Sequence, residues 1–326
     1  MLYYINKLVK PFQAFSRFFS LIFVCLCTLL IPFILQAQTP ETKKSVVKNI
    51  KPRLIAKLPQ GVSETSGLVF FNKMLWTIND SGNPAEIYQL DTLTGEILRT
   101  VVVRNAVNID WEAITHDDSN LYIGDFGNNF GTRTDLHILK IPKSALLNTE
   151  NDTVEAGFIR FHYPDQASFT RELNNHNFDC EAFFFLNDSL HLFSKNWADI
   201  NSRHYTIAVD TGTFAAQLIE QLEVDGLITD ASINEKGTII LLGYKKTDGR
   251  QWRCFCWLFA GTDSGRYADT KKVRIELGKA YHLGQTEGIF LNNDKSAWLS
   301  AESINAGKML RKARLYCLHL DAFLDF

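Results

Sequence analysis

From residue 51 onward, apolar and polar positions alternate in short runs. Stretches of four to eight residues rich in Val, Ile, Phe, Tyr and Trp are separated by Asn, Asp and Gly, and little of the chain shows a 3.6-residue period. That pattern predicts an all-β protein. The runs also recur as a unit. Five openings lead into a first strand: Ser66-Gly67-Leu68-Val69-Phe70, Glu112-Ala113-Ile114-Thr115, Glu181-Ala182-Phe183-Phe184-Phe185, Asp230-Ala231-Ser232-Ile233 and Glu287-Gly288-Ile289-Phe290. A polar turn follows each, such as Asn187-Asp188-Ser189 or Asn292-Asn293-Asp294, and then a second strand, such as Leu121-Tyr122-Ile123 or Ala297-Trp298-Leu299. Third strands carry Ile87–Leu90, Leu136–Leu139, His204–Ile207, Trp257–Phe259 and Leu315–Leu318; fourth strands fit Ile97–Val103, Glu155–Phe161, Gln217–Val224 and Val273–Leu277.

The openings stand 46, 69, 49 and 57 residues apart, close to the period of roughly 40–50 residues of a four-stranded propeller blade. The fold expected is a five-bladed β-propeller. The long second interval either holds insertions around residues 148–152 and 166–177 or hides a degenerate sixth blade. The last unit ends after its third strand, and Arg53–Leu58 is placed to supply the missing outer strand and close the ring, leaving no unpaired edge there. Residues 51–326 therefore read as one domain.

Ahead of it, Lys7, Lys10 and Arg17 precede an uncharged, mostly apolar run from Phe18 to Leu35, with the small Ala37 after it. This is the order of a secretory signal over residues 1–37, with an uncleaved anchor as the alternative. Residues 38–50 read as a polar linker. Both readings place the domain outside the cytoplasm. Without residues 1–37 the 34 basic residues become 31 against 36 acidic ones, a net charge of −5. Weak acidity argues against nucleic-acid binding and against any membrane role beyond the signal segment. Four cysteines remain; Cys180, Cys254, Cys256 and Cys317 are expected as buried free thiols, with one bridge from Cys317 to Cys254 or Cys256 as the alternative.

The acids fall in a register. Two positions before each opening stand Glu64, Asp110, Asp179, Ile228 and Gln285. A spacing of two puts paired side chains on one side of an extended segment, and the first strand of a propeller blade is innermost. The second strands end at the same rim, where Asp80-Ser81-Gly82-Asn83 and Asp125-Phe126-Gly127-Asn128 repeat one turn motif; later blades hold Lys195-Asn196, Tyr244-Lys245 and Glu302 there. Converging carboxylates must hold protons, pair with lysine or bind a hard cation. Glu112, Glu181, Asp230 and Glu287 are the candidate calcium ligands. Asp125 and Asp80 are candidate proton acceptors, and Glu64, Lys195, Lys245, Glu302 and Asn128 candidate ligand contacts. The bland alternative is that these acids cap turns and staple blades, a role that suits Asp110 and Asp179 best. Trp111 and Trp197 lie near the rim, with stacking on a sugar or other ring as one role and core packing as the simpler one. No Gly-x-Ser-x-Gly elbow, Walker loop or His-Glu-x-x-His is present.

Glu64-Thr65-Ser66-Gly67-Leu68, Thr77-Ile78-Asn79-Asp80, Asp110-Trp111-Glu112-Ala113-Ile114 with Leu121–Asp125, and Thr286-Glu287-Gly288-Ile289 resemble the SdiA-regulated and phytase-like propeller proteins of bacteria. The Glu-Gly/Ala-Ile opening is more distantly similar to that of gluconolactonase/regucalcin and paraoxonase propellers, in which acids at the channel end hold a divalent metal. The resemblance implies a propeller and calcium. Two functions follow as expectations: an exported, monomeric module that binds a small molecule or protein at an acidic, calcium-loaded channel mouth, or a metal-dependent phosphoester or ester hydrolase at the same place.

Overall fold

The computed structural model describes residues 46–247, 251–293, 295–306 and 309–323. The signal expected over residues 1–37 lies outside the described residues. Five antiparallel meanders make five blades. They are β3 (Thr65–Phe71), β4 (Met74–Asn79), β5 (Glu86–Leu90) and β6 (Ile97–Val103); β7 (Trp111–His116), β8 (Asn120–Asp125), β9 (His137–Pro142) and β11 (Gly157–His162); β12 (Cys180–Leu186), β13 (Ser189–Ser194), β14 (Ser202–Ala208) and β16 (Gln217–Leu222); β17 (Leu227–Ile233), β18 (Ile239–Lys246), β19 (Trp252–Phe259) and β20 (Lys272–Lys279); and β21 (Gln285–Asn293), β22 (Ser296–Glu302) and β25 (Arg314–His319). The fifth is completed by β2 (Arg53–Lys57), antiparallel to β25, so the N-terminal strand closes the ring as expected.

The inner strands touch in the order β3, β7, β12, β17, β21 and back to β3. Each blade is apolar on both faces and packs one face on each neighbour. Accordingly the buried apolar residues fall into five clusters, one per interface. Trp76, Ile78 and Val101 of the first blade meet Trp111, Ile123 and Leu139 of the second. Ile138 and Ile159 meet Phe183 and Tyr205; Ala182 and Phe193 meet Leu241 and Phe255; Leu242 and Ile275 meet Leu299 and Leu318; and Leu315 meets Leu68 and Leu75. The clusters make the disc a single cooperative core.

There is no sixth blade among the described residues. The long interval is spent on a short helix, Lys143–Leu146, on the two-residue strand β10 (Thr153–Val154), and on the irregular stretch before β12. β10 runs parallel to β6 and covers the first blade's outer edge; β15 (Gly212–Ala215) does the same for β11. The expectation of a linker over residues 38–50 is corrected at its end: β1 (Val46–Asn49) pairs parallel with β20 and covers the fourth blade's edge. Edge covering removes unpaired backbone groups that would otherwise invite association. Two short strands, β23 (Ile304–Ala306) and β24 (Met309–Arg311), pair antiparallel between β22 and β25. All four described cysteines are free thiols, and Cys180, Cys254 and Cys256 are buried.

Candidate functional site

Every inner strand carries a bulge at the same level. The register between first and second strand slips between Ser66 and Leu68, Trp111 and Ala113, Cys180 and Ala182, Ile228 and Asp230, and Thr286 and Gly288. The extra residues are Gly67, Glu112, Glu181, Thr229 and Glu287. A bulge re-aims its side chain out of the sheet's alternation, and three of the five carry a carboxylate. These three face one another. Glu181 acts electrostatically on Glu112, and Glu287 on Glu181. In the first blade the bulge must be Gly67, since a Cβ there would lie 2.8 Å from the Ile114 nitrogen and the residue has φ +72°.

Around this level the mouth gathers six carboxyls, Asp80, Asp110, Glu112, Glu181, Glu287 and Glu302, and one buried ammonium, Lys195. Burial pushes the Glu112 carboxyl well above the usual range, with Glu181, Asp80 and Asp110 adding to it. Burial and then Asp80 and Asp179 push Asp110 up to about 7. Burial raises Glu287 to about 7 against the pull of Lys195. Glu302 is held up by burial and by Glu287 and Asp80. Lys195 is ion-paired with Glu181 and lies over the rings of Trp197 and Tyr244, 5.0 and 5.2 Å from their centroids. Burial disfavours its charge, but Glu181 and Glu287 outweigh burial and hold its pKa above the ordinary value.

Asp80, Asp110 and Glu112 stand apart from the rest. Each offers one carboxylate oxygen, and the three oxygens lie within 4.8 Å of one another. Among the described residues no donor reaches the carboxylates of Asp110 or Glu112, although Glu112 is only 6% exposed. Both lean on Gly127, where a Cβ would sit 2.2 Å from Glu112 Oε1 and 2.4 Å from Asp110 Oδ2. Three hard oxygens, of which only that of Asp80 has a donor, the Ser81 amide, in a niche kept open by a glycine, suit a hard cation.

The structure corrects several sequence expectations. Asp230 follows its blade's bulge instead of occupying it. Its oxygens accept the amides of Ala231 and Ile289, at 2.8 and 2.6 Å, so it staples β17 to β21. Asp125 is fully buried; it accepts the amides of Ile109 and Asp110 and the Arg133 guanidinium at 2.8 Å, which leaves it no role as a free proton acceptor. Asn128 is spent on the backbone of Phe178 and Arg133, and its own amide on Asp179. Lys245 pairs with Asp225; strand alternation turns Tyr244, one residue earlier, toward Lys195 instead. Of the proposed metal set, Glu181 is taken by Lys195, and Glu287 accepts the Gln285 amide at 2.7 Å. Only Glu112 lies in the three-carboxylate niche. Asp80 joins it as a partner, and so does Asp110, for which a turn-capping role is overturned: Asn108 caps that turn, accepting the Trp111 amide at 3.1 Å. Asp179 does cap and staple, through Asn128 N and Trp197 Nε1. Glu64 sits at the exposed rim, bonded by Asn83. Trp111 is wholly buried in the core.

Beside the mouth lies a cavity of about 770 Å³ whose walls include Trp197, Tyr244, Trp252, Tyr281 and Gln285. Sequence reasoning missed it, because Trp252 and Tyr281 come from β19 and from a short helix, Ala280–Leu283, with no shared motif. The opposite end of the channel is different: a cavity of about 470 Å³ there is lined by Phe70, Ile114, Phe185, Ile233 and Phe290.

No protein-family profile matches the chain, and no curated protein matches it in sequence. Solved structures do resemble it in shape. A hypothetical protein from Leishmania major is 11% identical, covering 82% of this chain and 90% of its own at a TM-score of 0.45. A GH43 β-1,3-galactosidase solved with galactodeoxynojirimycin is 10% identical over 85% and 94%, at 0.45. A GH43 enzyme from Xanthomonas citri is 10% identical over 82% and 89%, at 0.44. The blade count rests on the strand pairing above and not on these likenesses.

Proposed function

We propose that the protein is an exported ligand-binding propeller whose channel mouth holds a calcium ion on Asp80, Asp110 and Glu112. The observation that carries this reading is the triad of carboxylate oxygens within 4.8 Å, of which those of Asp110 and Glu112 have no donor among the described residues. Burial first, and neighbouring acids after it, raise all three carboxyls, and a divalent cation would offset both by favouring the ionised form. The resemblance of the blade openings to the SdiA-regulated and phytase-like propellers supports the same cation. Extracytoplasmic calcium modules work at dissociation constants of roughly 10⁻⁴–10⁻³ M, and that range is expected here. The test is calorimetric titration of the chelated protein with CaCl₂, alongside thermal melting. Wild type binds one ion and gains stability, while Glu112→Gln does neither. Identical melting of wild type in calcium and in chelator removes the ion from the account.

A second reading, hydrolysis of phosphoester or ester bonds, is favoured by Glu287. A carboxyl held near 7 exchanges a proton at neutral pH, and it lies next to a fixed ammonium. Turnover of p-nitrophenyl phosphate and p-nitrophenyl acetate by wild type and by Glu287→Gln separates the readings. Equal rates leave binding alone.

A further inference from the structure

The cavity beside the mouth has a composition that the cation does not explain. Trp252 is 37% and Tyr281 58% exposed, so large rings are left against solvent in a concave site, where apolar surface has a driving force to be covered. Its volume of about 770 Å³ falls in the range of ligand sites, roughly 300–1,000 Å³. The cavity also continues into the mouth. Tyr244 forms its wall and carries Lys195 over its ring; Gln285 forms its wall and donates to Glu287 Oε1.

Charge narrows the occupant. Among the described residues the cavity wall holds Lys279 and no carboxylate, while the acids of the mouth stand behind Gln285 and Tyr244, so a charged ligand of either sign meets like charge. Aromatic walls beside acids also suit a quaternary ammonium, but here the rings already serve the protein's own cations. Lys246 lies 5.8 Å from the Trp252 centroid, Arg311 5.5 Å from that of Tyr281, and Lys195 covers Trp197 and Tyr244. A second cation would be repelled by those neighbours. What remains is a neutral ring with an apolar face for stacking and hydroxyls for the carboxylates and Gln285.

We infer that the cavity walled by Trp197, Tyr244, Trp252 and Tyr281 seats a neutral saccharide unit whose hydroxyls point to the carboxylates of the channel mouth. This rests on the reading of the mouth as a ligand site, and adds its ligand class. Stacked rings give position, and ring hydroxyls meet Gln285 in the wall and the Glu287 carboxylate behind it.

The test is intrinsic tryptophan fluorescence of the full chain, titrated to millimolar concentration with cellotetraose, xylotetraose and maltotetraose. At least one is expected to shift the emission saturably. Trp252→Ala and Tyr281→Ala each weaken that binding about tenfold. Both side chains are part-exposed, so both variants keep the wild-type melting temperature and the wild-type response to calcium. Asp110→Asn separates the two proposals: it abolishes calcium binding while saccharide binding persists, and a wild type that binds saccharide but no calcium fails the cation and keeps the sugar. The inference is overturned if none of the three saccharides saturates, if both aromatic variants bind like wild type, or if choline or inositol hexakisphosphate binds more tightly than every saccharide.

Discussion

Replacing Lys195 by Met tests the electrostatic account of the mouth most directly. The Lys195 and Glu181 side chains are 5% and 4% exposed. Their attraction acts in a medium that screens poorly, and neither charge has water to fall back on. Removing one partner of a buried pair costs about 3–5 kcal/mol, because the other charge is stranded. Losing the cation over two rings adds about 0.5–1 kcal/mol for each. A methionine thioether against Trp197 and Tyr244 restores a similar amount. The net is a loss of roughly 3–4 kcal/mol at pH 8. For a domain of this size about 2–4 °C accompanies each kcal/mol, so the melting temperature falls by roughly 10 °C. The assay is differential scanning calorimetry in chelator, so that no cation substitutes for the ammonium. At pH 5 the stranded Glu181 takes a proton, and the loss shrinks to about 1–2 kcal/mol. Adding Glu181→Gln removes the stranded charge and recovers at least half of the loss at pH 8. The reasoning fails if Lys195→Met melts within about 3 °C of wild type at pH 8, or if the double variant is no more stable than the single one.

Two further outcomes are expected. Gly127→Ala displaces two flexible carboxylate tips and no backbone, so its melting temperature in chelator stays within about 3 °C of wild type, while calcium affinity by calorimetric titration drops at least tenfold; unchanged affinity would separate Gly127 from the cation. Between the third and fourth blades, His191 Nδ1 meets His204 Nε2 at 2.8 Å, and His204 Nδ1 meets Glu220 at 3.1 Å. Burial and then His204 depress His191 to about 4, below its unfolded value. The neutral ring is therefore favoured on folding. Its contribution is complete above the unfolded pKa of roughly 6.5 and is lost as pH falls toward 4, a span of about 3 kcal/mol. Urea unfolding of wild type and His191→Gln shows the two stabilities converging by about that amount between pH 7 and 4, and a constant gap would refute it.

The propeller was legible because each blade is a local event. Strand lengths, turn residues and the recurrence of the openings are set by neighbours in sequence, and the closing strand at Arg53–Lys57 was implied by the fifth unit's missing edge. β1 was not legible, since four residues with Lys48 and Asn49 among them carry no strand signal until β20 offers them an edge. The three glutamates of the mouth were legible as a register. The bulge was not: it sets Gly67 and Thr229, instead of Ser66 and Asp230, in that register. The two copies of Asp-x-Gly-Asn also parted ways. Asp125 found Arg133 eight residues on, whereas Asp80 found the Ser81 amide and feels Lys195 and Glu64 without an ion pair.

By itself, then, the sequence determined an all-β repeat of five units, the strand that closes it and the level at which acids accumulate, because these follow from side-chain period and chain order. Which acids are neutralised and which are left bare was decided by the tertiary structure alone. Donors such as Arg133, Lys195 and the Ile289 amide reach their carboxylates across a turn, a hairpin or a blade boundary, and the aromatic cavity is assembled from blades three, four and five. A carboxylate's chemistry depends on the partner within about 3 Å, and along this chain that partner is distant in number.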